Sequence, residues 1–439
     1  MASFLKSLGF DSSQTTFRTE FLAGLTTFFT MSYILAVNPI VLSTTGMEKT
    51  ALFTTTAISS AIATILLAFL ARQPYAQAPS VGLNAFFAFT LCQSFGLSWQ
   101  QALAVILVEG LLFIFMTFLN VREMILACIP MNMRHAITAG LGMFIAFIGL
   151  KNANIVVSDA QTFVKMGELS PVFFVGVISI IISAVMLIKN VRGGLFYAII
   201  LTTLIGIPLG VTEIEEGWSP VRLPHSIEPI FCKFDFTGFF SLKMLMITMS
   251  LLMVNIFDTL GTLMGLADKV GIIRKDGSIP RAKEAMMSDA IGTTVGACLG
   301  TSTITTYVES AVGIAEGGKS GLTSMVVGFL FLLSTFLAPI FMLIPGAATC
   351  GTLVMVGVLM LSSIKKMEMD ELSEAIPGFL TIIMMVLCYS IAEGIYWGLL
   401  SYVVIKLLAG KFKDLNLTLY VVSLSCCFYD YYLFYCYVF

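Results

Sequence analysis

Charge is what this sequence has least of. Only 11% of its 439 residues are Asp, Glu, Lys or Arg, where a soluble domain carries roughly a quarter, and that deficit excludes an ordinary water-soluble chain. The 24 basic and 26 acidic residues nearly cancel to a net charge of −2, so nothing suggests a nucleic-acid partner. The two histidines, His135 and His225, flank apolar runs, where solvated or interfacial side chains are expected. Nine cysteines fall mostly inside apolar runs, Cys92, Cys128, Cys298 and the pair Cys426–Cys427 among them, without metal-ligand spacing. They read as small buried hydrophobes rather than a disulfide framework. With no nucleophile–base pair, metal cluster or cofactor loop, neither a cofactor nor an enzyme activity is expected. The opening MASFLKSLGFDSSQTTFRTE also lacks the layout of a cleaved signal peptide. The first apolar run is expected to serve as the insertion signal.

What is there is apolar length. Hydrophobic residues make up 58% of the chain and mean hydropathy is +0.95, the composition of an all-α polytopic membrane protein. Runs long enough to span lie at about 17–43, 50–70, 99–118, 124–150, 172–189 and 194–212, then, after a polar loop, at 242–267, 284–299, 322–338, 340–363, 375–391 and 394–410. Two shorter, interrupted segments, 78–97 and 301–318, bring the expectation to fourteen crossings, seven on each side of the 213–241 loop. A cytoplasmic N-terminus then puts 18 of the 24 Lys and Arg residues inside, leaving Lys49, Lys151, Lys165, Arg222, Lys233 and Lys243 outside, which agrees with the positive-inside rule. The aromatic tail, LNLTLYVVSLSCCFYDYYLFYCYVF, reads as interfacial or partner-packing, with a fifteenth crossing as the alternative.

The interrupted segments carry the most information. GTSTITTYVESAVGIAEGGKSG (300–321) is too polar and glycine-rich for an intact span, and APSVGLNAFFAF (78–89) is its counterpart, third in its half. Seven crossings per half force opposite orientations, and paired broken spans at corresponding positions are the mark of inverted-repeat transporters. Two short extended pieces meeting antiparallel would pair their backbones and aim the following helix N-termini, with their free N–H donors, at the midplane.

Rare polar side chains in apolar runs mark the candidate site. Glu309 opens the second half-helix; it is either a buried acceptor for substrate or a cap for that helix. Asp258 lies in VNIFDTLGTLMGLAD, with Asn255 on nearly the same helical face. A lone Asp there costs about 2.5–3.5 kcal/mol on insertion scales, so substrate or proton handling is weighed against interhelical hydrogen bonding. Asn84 offers a donor and an acceptor to a heterocycle edge, or packs the broken span. In the first span, TTFFTMSYILAVNP, Thr30, Ser32 and Asn38 stand among large apolar residues. Asp289 reads as a helix-packing or loop-anchoring group, Glu316 and Lys319 as a cytoplasmic surface pair, and Glu109 as a tie between moving parts or a proton carrier. Methionine runs such as LKMLMITMSLLM read as packing.

Together FRTEFLAGLTTFFTMSYILAVNP, GLNAFFAF, NIFDTLGTLMGLADKVG and GTSTITTYVESAVGIAEGGKSGLTS resemble the nucleobase–cation symporter superfamily, in its azaguanine-like purine permease branch. The resemblance runs from about Phe17 to Lys411. It implies fourteen spans in two inverted repeats of seven, with short antiparallel strands in spans 3 and 10. It also implies a core domain (17–118 and 242–338), a gate domain (121–212 and 339–410) and a tail (411–439). By position, Asn84, Glu309 and Asp258 match family site residues; Asn255 stands where the family has Asp, leaving open which of Asn255 and Asp258 meets the purine. The expected function is proton-coupled import of hypoxanthine, guanine or adenine by an elevator-like movement. Glu309, Asn84 and Asn255 or Asp258 would bind the base edge, Phe28, Phe29, Phe86 and Tyr307 would cover the ring beside Thr30, and Asp258 and Glu309 would handle the proton. A homodimer in the cell membrane, without nucleic acid, is implied. A uracil or xanthine permease is the alternative, followed by an anion exchanger of similar fold, which would want basic residues near the broken spans.

Overall fold

The structure is a computed structural model describing every residue except 1, 120–129, 190, 192–193, 213, 215–218, 273–278, 390, 412–414, 416–418 and 420–439. The aromatic tail therefore lies almost wholly outside the described residues. Helix α1 is Ala2–Ser7, and α2 (Phe17–Met31) and α3 (Ile34–Ser43) form one kinked crossing. Pro39 removes an amide donor inside α3, and the chain turns at Ser32–Tyr33. Then come α4 (Lys49–Leu70), strand β1 (Gln77–Pro79), α5 (Val81–Ala85) running on as a π-helix to Ser94, and α6 (Trp99–Phe118). Next are α7 (Met131–Asn152), the hairpin β2 (Val156–Asp159) and β3 (Phe163–Met166), α8 (Pro171–Ile188) and α9 (Gly194–Gly206). The second half holds α10 (Leu242–Val270), α11 (Ala282–Leu299), β4 (Ile304–Thr306), α12 (Ser310–Ala315), α13 (Gly321–Ser334), α14 (Ala338–Met342), α15 (Gly346–Leu361), α16 (Leu372–Leu387) and α17 (Ile391–Leu408). Among the described residues seven helices, counting α2–α3 as one, are long and apolar enough to cross a membrane by length and composition.

The interrupted segments do meet. β1 and β4 pair antiparallel, Gln77 opposite Thr306, Ala78 opposite Thr305 and Pro79 opposite Ile304. Three-residue strands leave outer edges whose N–H and C=O groups would be costly in an apolar interior. Threonines close both edges. Thr64 of α4 donates to the Gln77 carbonyl and accepts from its amide, both at 2.9 Å. Thr293 of α11 does the same for Ile304, at 3.0 and 3.2 Å. Around Ala78–Thr305 as a centre, Gln77 and Ile304 occupy equivalent positions.

Two sets of helices pack chiefly among themselves. In one, α4 packs on α13 and α11 on α6, while α4 and α11 touch each other across the strand pair. In the other, α7 packs on α15, α8 on α15 and α16 on α7. The α7–α15 crossing is close because Gly142 and Gly357 face each other: a Cβ on Gly142 would sit 2.6 Å from the Gly357 carbonyl oxygen. The α2 and α10 helices lie between the sets, α10 touching α7 and α17. The β2–β3 hairpin, which the sequence reading did not expect, is fixed at its turn by Asp159, which accepts from the amides of Gln161 and Thr162 at 2.9 and 3.0 Å. Lys165 pairs with the same carboxylate at 2.9 Å and, as the largest influence, holds its pKa down at about 2.

Closure of the strand edges is testable at one atom. Thr64→Val keeps the shape of the side chain but orphans both backbone groups of Gln77, which should cost about 1–3 kcal/mol for each. Thermal unfolding of the purified protein should show that loss, and Thr64→Ser should restore most of it.

Candidate functional site

Where the strands end, helices begin, and a cavity opens between the two helix sets. Its walls include Tyr33, Ser80, Asp258, Thr262, Thr305, Thr306, Tyr307, Val308 and Glu309 on one side and Leu141, Phe144, Ile145 and Ile148 of α7 on the other. It holds about 60 Å³ of water-accessible space, room for several water-sized groups. No lysine or arginine is among the described residues that line it. A second cavity, about 290 Å³, adjoins it through the shared Val308 and runs between α12 and α15 to Ser362, Ser363 and Lys366.

Two carboxylates face this space, each held by a hydroxyl from another element. The Tyr33 hydroxyl, at the break between α2 and α3, donates to Glu309 Oε1 at 2.6 Å. Ser80, at the β1–α5 junction, donates to Asp258 Oδ2 at 2.9 Å. Glu309 makes no side-chain cap to α12, so of the two roles the sequence allowed, capping is not the one its geometry serves. Tyr307 donates to the Pro79 carbonyl at 2.5 Å and stands 6.5 Å, centroid to centroid, from the Tyr33 ring. The result is a pair of acceptor groups on a polar wall facing an apolar one, suited to a flat heterocycle with N–H groups on its edge.

The remaining sequence candidates lie behind this surface. Asn255 is fully buried and donates to Glu109 Oε1 of α6 at 2.6 Å. Thr303 reaches the other oxygen of Glu109 at 3.5 Å. Asn84 accepts from the Ser302 hydroxyl. Its own Nδ2 is buried without a hydrogen-bond partner among the described residues. Thr30 donates to the Thr26 carbonyl at 2.7 Å, and Phe29 meets Phe28 edge-on at 5.5 Å. Phe86 opens the π-helical stretch, outside the cavity lining. Asp289 accepts from Thr306 at 3.0 Å and from Gln77, buttressing the strand pair from α11.

Tyr33, Ser80 and the α7 wall are the contributors that sequence reasoning passed over. Tyr33 had a signal, being a tyrosine beside a serine in mid-span. Ser80 carries no distinguishing signal within APSVGLNAFFAF, and Leu141, Phe144, Ile145 and Ile148 look no different from lipid-facing residues.

Comparison with known proteins gives this geometry a context. A family model described as "Permease family" matches residues 18–396. A putative permease of Methanocaldococcus jannaschii is 42% identical, over 95% of this chain and 96% of its own. The adenine permease AdeP of Escherichia coli is 40% identical, over 93% and 92%. The guanine/hypoxanthine permease PbuO of Bacillus subtilis is 38% identical, over 92% and 94%. Among solved structures, the transmembrane domain of a cyanobacterium bicarbonate transporter, BicA, superposes with a TM-score of 0.58 at 17% identity, covering 88% of this chain and 98% of that one. At that identity the likeness concerns the fold alone.

The Tyr33–Glu309 contact predicts coupled energetics. A double-mutant cycle on Tyr33→Phe and Glu309→Gln, read by unfolding of the purified protein, should give an interaction energy of about 0.5–3 kcal/mol. Additive effects would contradict the contact.

Proposed function

This chain belongs to the permease family, whose model spans residues 18–396 of it, and from that membership we propose that it imports purine nucleobases through the Glu309–Asp258 cavity, coupled to protons. It is a multi-pass membrane transporter and not an enzyme. The purine assignment is supported by relatives named for adenine and for guanine and hypoxanthine. The observation that carries it is the pairing of two buried carboxylates with the apolar face of α7 in one cavity. A carboxylate accepts from the N–H groups that a purine presents at its edge, and a flat apolar wall covers the ring. Asp258 and Glu309 are also the groups here that can exchange a proton. Asn255 and Asn84 would act from behind, through Glu109 and Ser302.

The remaining architecture is part of the same proposal. Exchange of the halves carries the Thr64–Gln77 closure onto Thr293–Ile304 and the α4–α13 packing onto α11–α6, which supports fourteen crossings in two inverted repeats. The helix sets correspond to a core domain (17–118 and 242–338) and a gate domain (121–212 and 339–410), with the N-terminus cytoplasmic in the cell membrane. A cavity walled by both sets suits an elevator in which the core slides along α7, and the larger cavity past Val308 suits an exit route. A homodimer through gate domains completes the proposal. Anion exchange on this fold is disfavoured, because two acids and no basic residue line the described site.

Radiolabelled uptake in a host without purine carriers tests this. Unlabelled adenine, guanine and hypoxanthine should compete where uracil and xanthine do not, and a protonophore should abolish accumulation. Glu309→Gln should cut uptake by about 10–100-fold, as expected for losing a charge-assisted hydrogen bond, with unchanged amounts of protein in the membrane. Undiminished uptake by that variant would overturn the site.

A further inference from the structure

In the loop between α9 and α10, residues 230–235 are seated on the end of α11 and the start of α6. Ile230 is 1% exposed and lies against Gly300. Gly300 has φ +90°, and a Cβ there would stand 2.6 Å from the Ile230 carbonyl oxygen, so the close approach depends on glycine at that position. Two residues on, the Cys232 amide donates to the Cys298 carbonyl at 2.8 Å. Asp235 is then tied to α6 by its amide, which donates to the Gln100 carbonyl at 3.3 Å.

This seating brings two thiols together. A disulfide needs Cα atoms about 4.4–6.8 Å apart, and the Cys232–Cys298 backbone hydrogen bond at 2.8 Å sets the two residues side by side. The thiols of Cys232 and Cys298 also lie within reach of each other. Both are free, Cys232 exposed and Cys298 partly exposed, so an oxidant in solution can reach them. Cys350, by contrast, is buried.

We propose that Cys232 and Cys298 form a reversible disulfide that staples the α9–α10 loop to the end of α11, a modification site separate from the substrate cavity. It rests on the loop facing the cell exterior, where disulfides persist. The chemistry is thiol–disulfide exchange with a small-molecule disulfide, RSSR. The Cys232 thiolate attacks one sulfur of RSSR, forming a mixed disulfide and releasing RS⁻, which takes up the proton that Cys232 lost. The Cys298 thiolate then attacks Cys232 Sγ, closing the protein disulfide and expelling the second RS⁻, which takes up the proton that Cys298 lost. In sum two protein thiols are oxidised and one RSSR is reduced to two RSH. The staple fixes the loop beside Gly300, from which the chain enters β4, and so holds the outer approach to the strand pair.

The test uses the full-length protein in intact cells, treated with membrane-impermeant oxidised glutathione, alkylated, and digested with trypsin without reduction. The peptides containing Cys232 (223–233) and Cys298 (284–319) should be recovered as one linked species. Dithiothreitol should abolish that species, as should Cys232→Ser or Cys298→Ser. Both peptides recovered separately, from intact cells and from opened membranes alike, would overturn the pairing. A link formed only in opened membranes would overturn the exterior placement, and either cysteine linked to a different partner would overturn the assignment.

Discussion

The whole architecture depends on keeping backbone hydrogen bonds closed where the chain stops being helical inside an apolar environment. β1 and β4 satisfy each other along one edge, and on the outer edges Thr64 closes Gln77, Thr293 closes Ile304 and Tyr307 closes the Pro79 carbonyl. In water those edges could hydrate; among apolar helices each open group would carry its full desolvation cost. Once the strands are closed, the starts of the helices beyond them are fixed in place. Ser80 and Glu309 stand at the junctions where strand gives way to helix, and α10 brings Asp258 to the same place. Gln77, Ser288 and Asp289 brace the pair from behind, with Ser288 donating to Gln77 at 2.8 Å.

This arrangement separates the groups that line the cavity from the groups that support them. The cavity shows acceptor groups and hydroxyls on one wall and aliphatic and aromatic carbon on the other, while Glu109, Asn255 and Thr303 form a second polar layer that never reaches it. Asn255 supplies amide hydrogens to a buried carboxylate, a role open to an amide and closed to an ionised Asp. The chain shares its fold with a bicarbonate transporter's membrane domain, yet the groups at the site are acids.

Much of this was legible in the sequence because membrane proteins make polar residues conspicuous. Glu309 and Asp258 stood out by rarity, and β4 by the run of Gly, Ser and Thr that contains it. Other parts were hidden for physical reasons. Asn255 and Asp258 share a helix face, so spacing left their partners open; packing sends one to Glu109 and the other to the cavity. Thr64 and Thr293 resemble the helix threonines that bond back to their own turn, as Thr202 does to Ala198 at 2.6 Å. The α7 wall is built from residues that lipid would accept equally well. Cys232 and Cys298 are far apart in sequence, and only the seating of a loop brings them together.

A structure of the protein with a bound purine, determined by cryo-electron microscopy, bears most directly on the account. The base should lie between the α7 wall and the strand-to-helix junctions, with a ring or exocyclic N–H within hydrogen-bonding distance of the Glu309 carboxylate and its face against Phe144 or Ile148. A purine seated elsewhere, in the larger cavity near Lys366 or against Asn84 with Glu309 untouched, would contradict it.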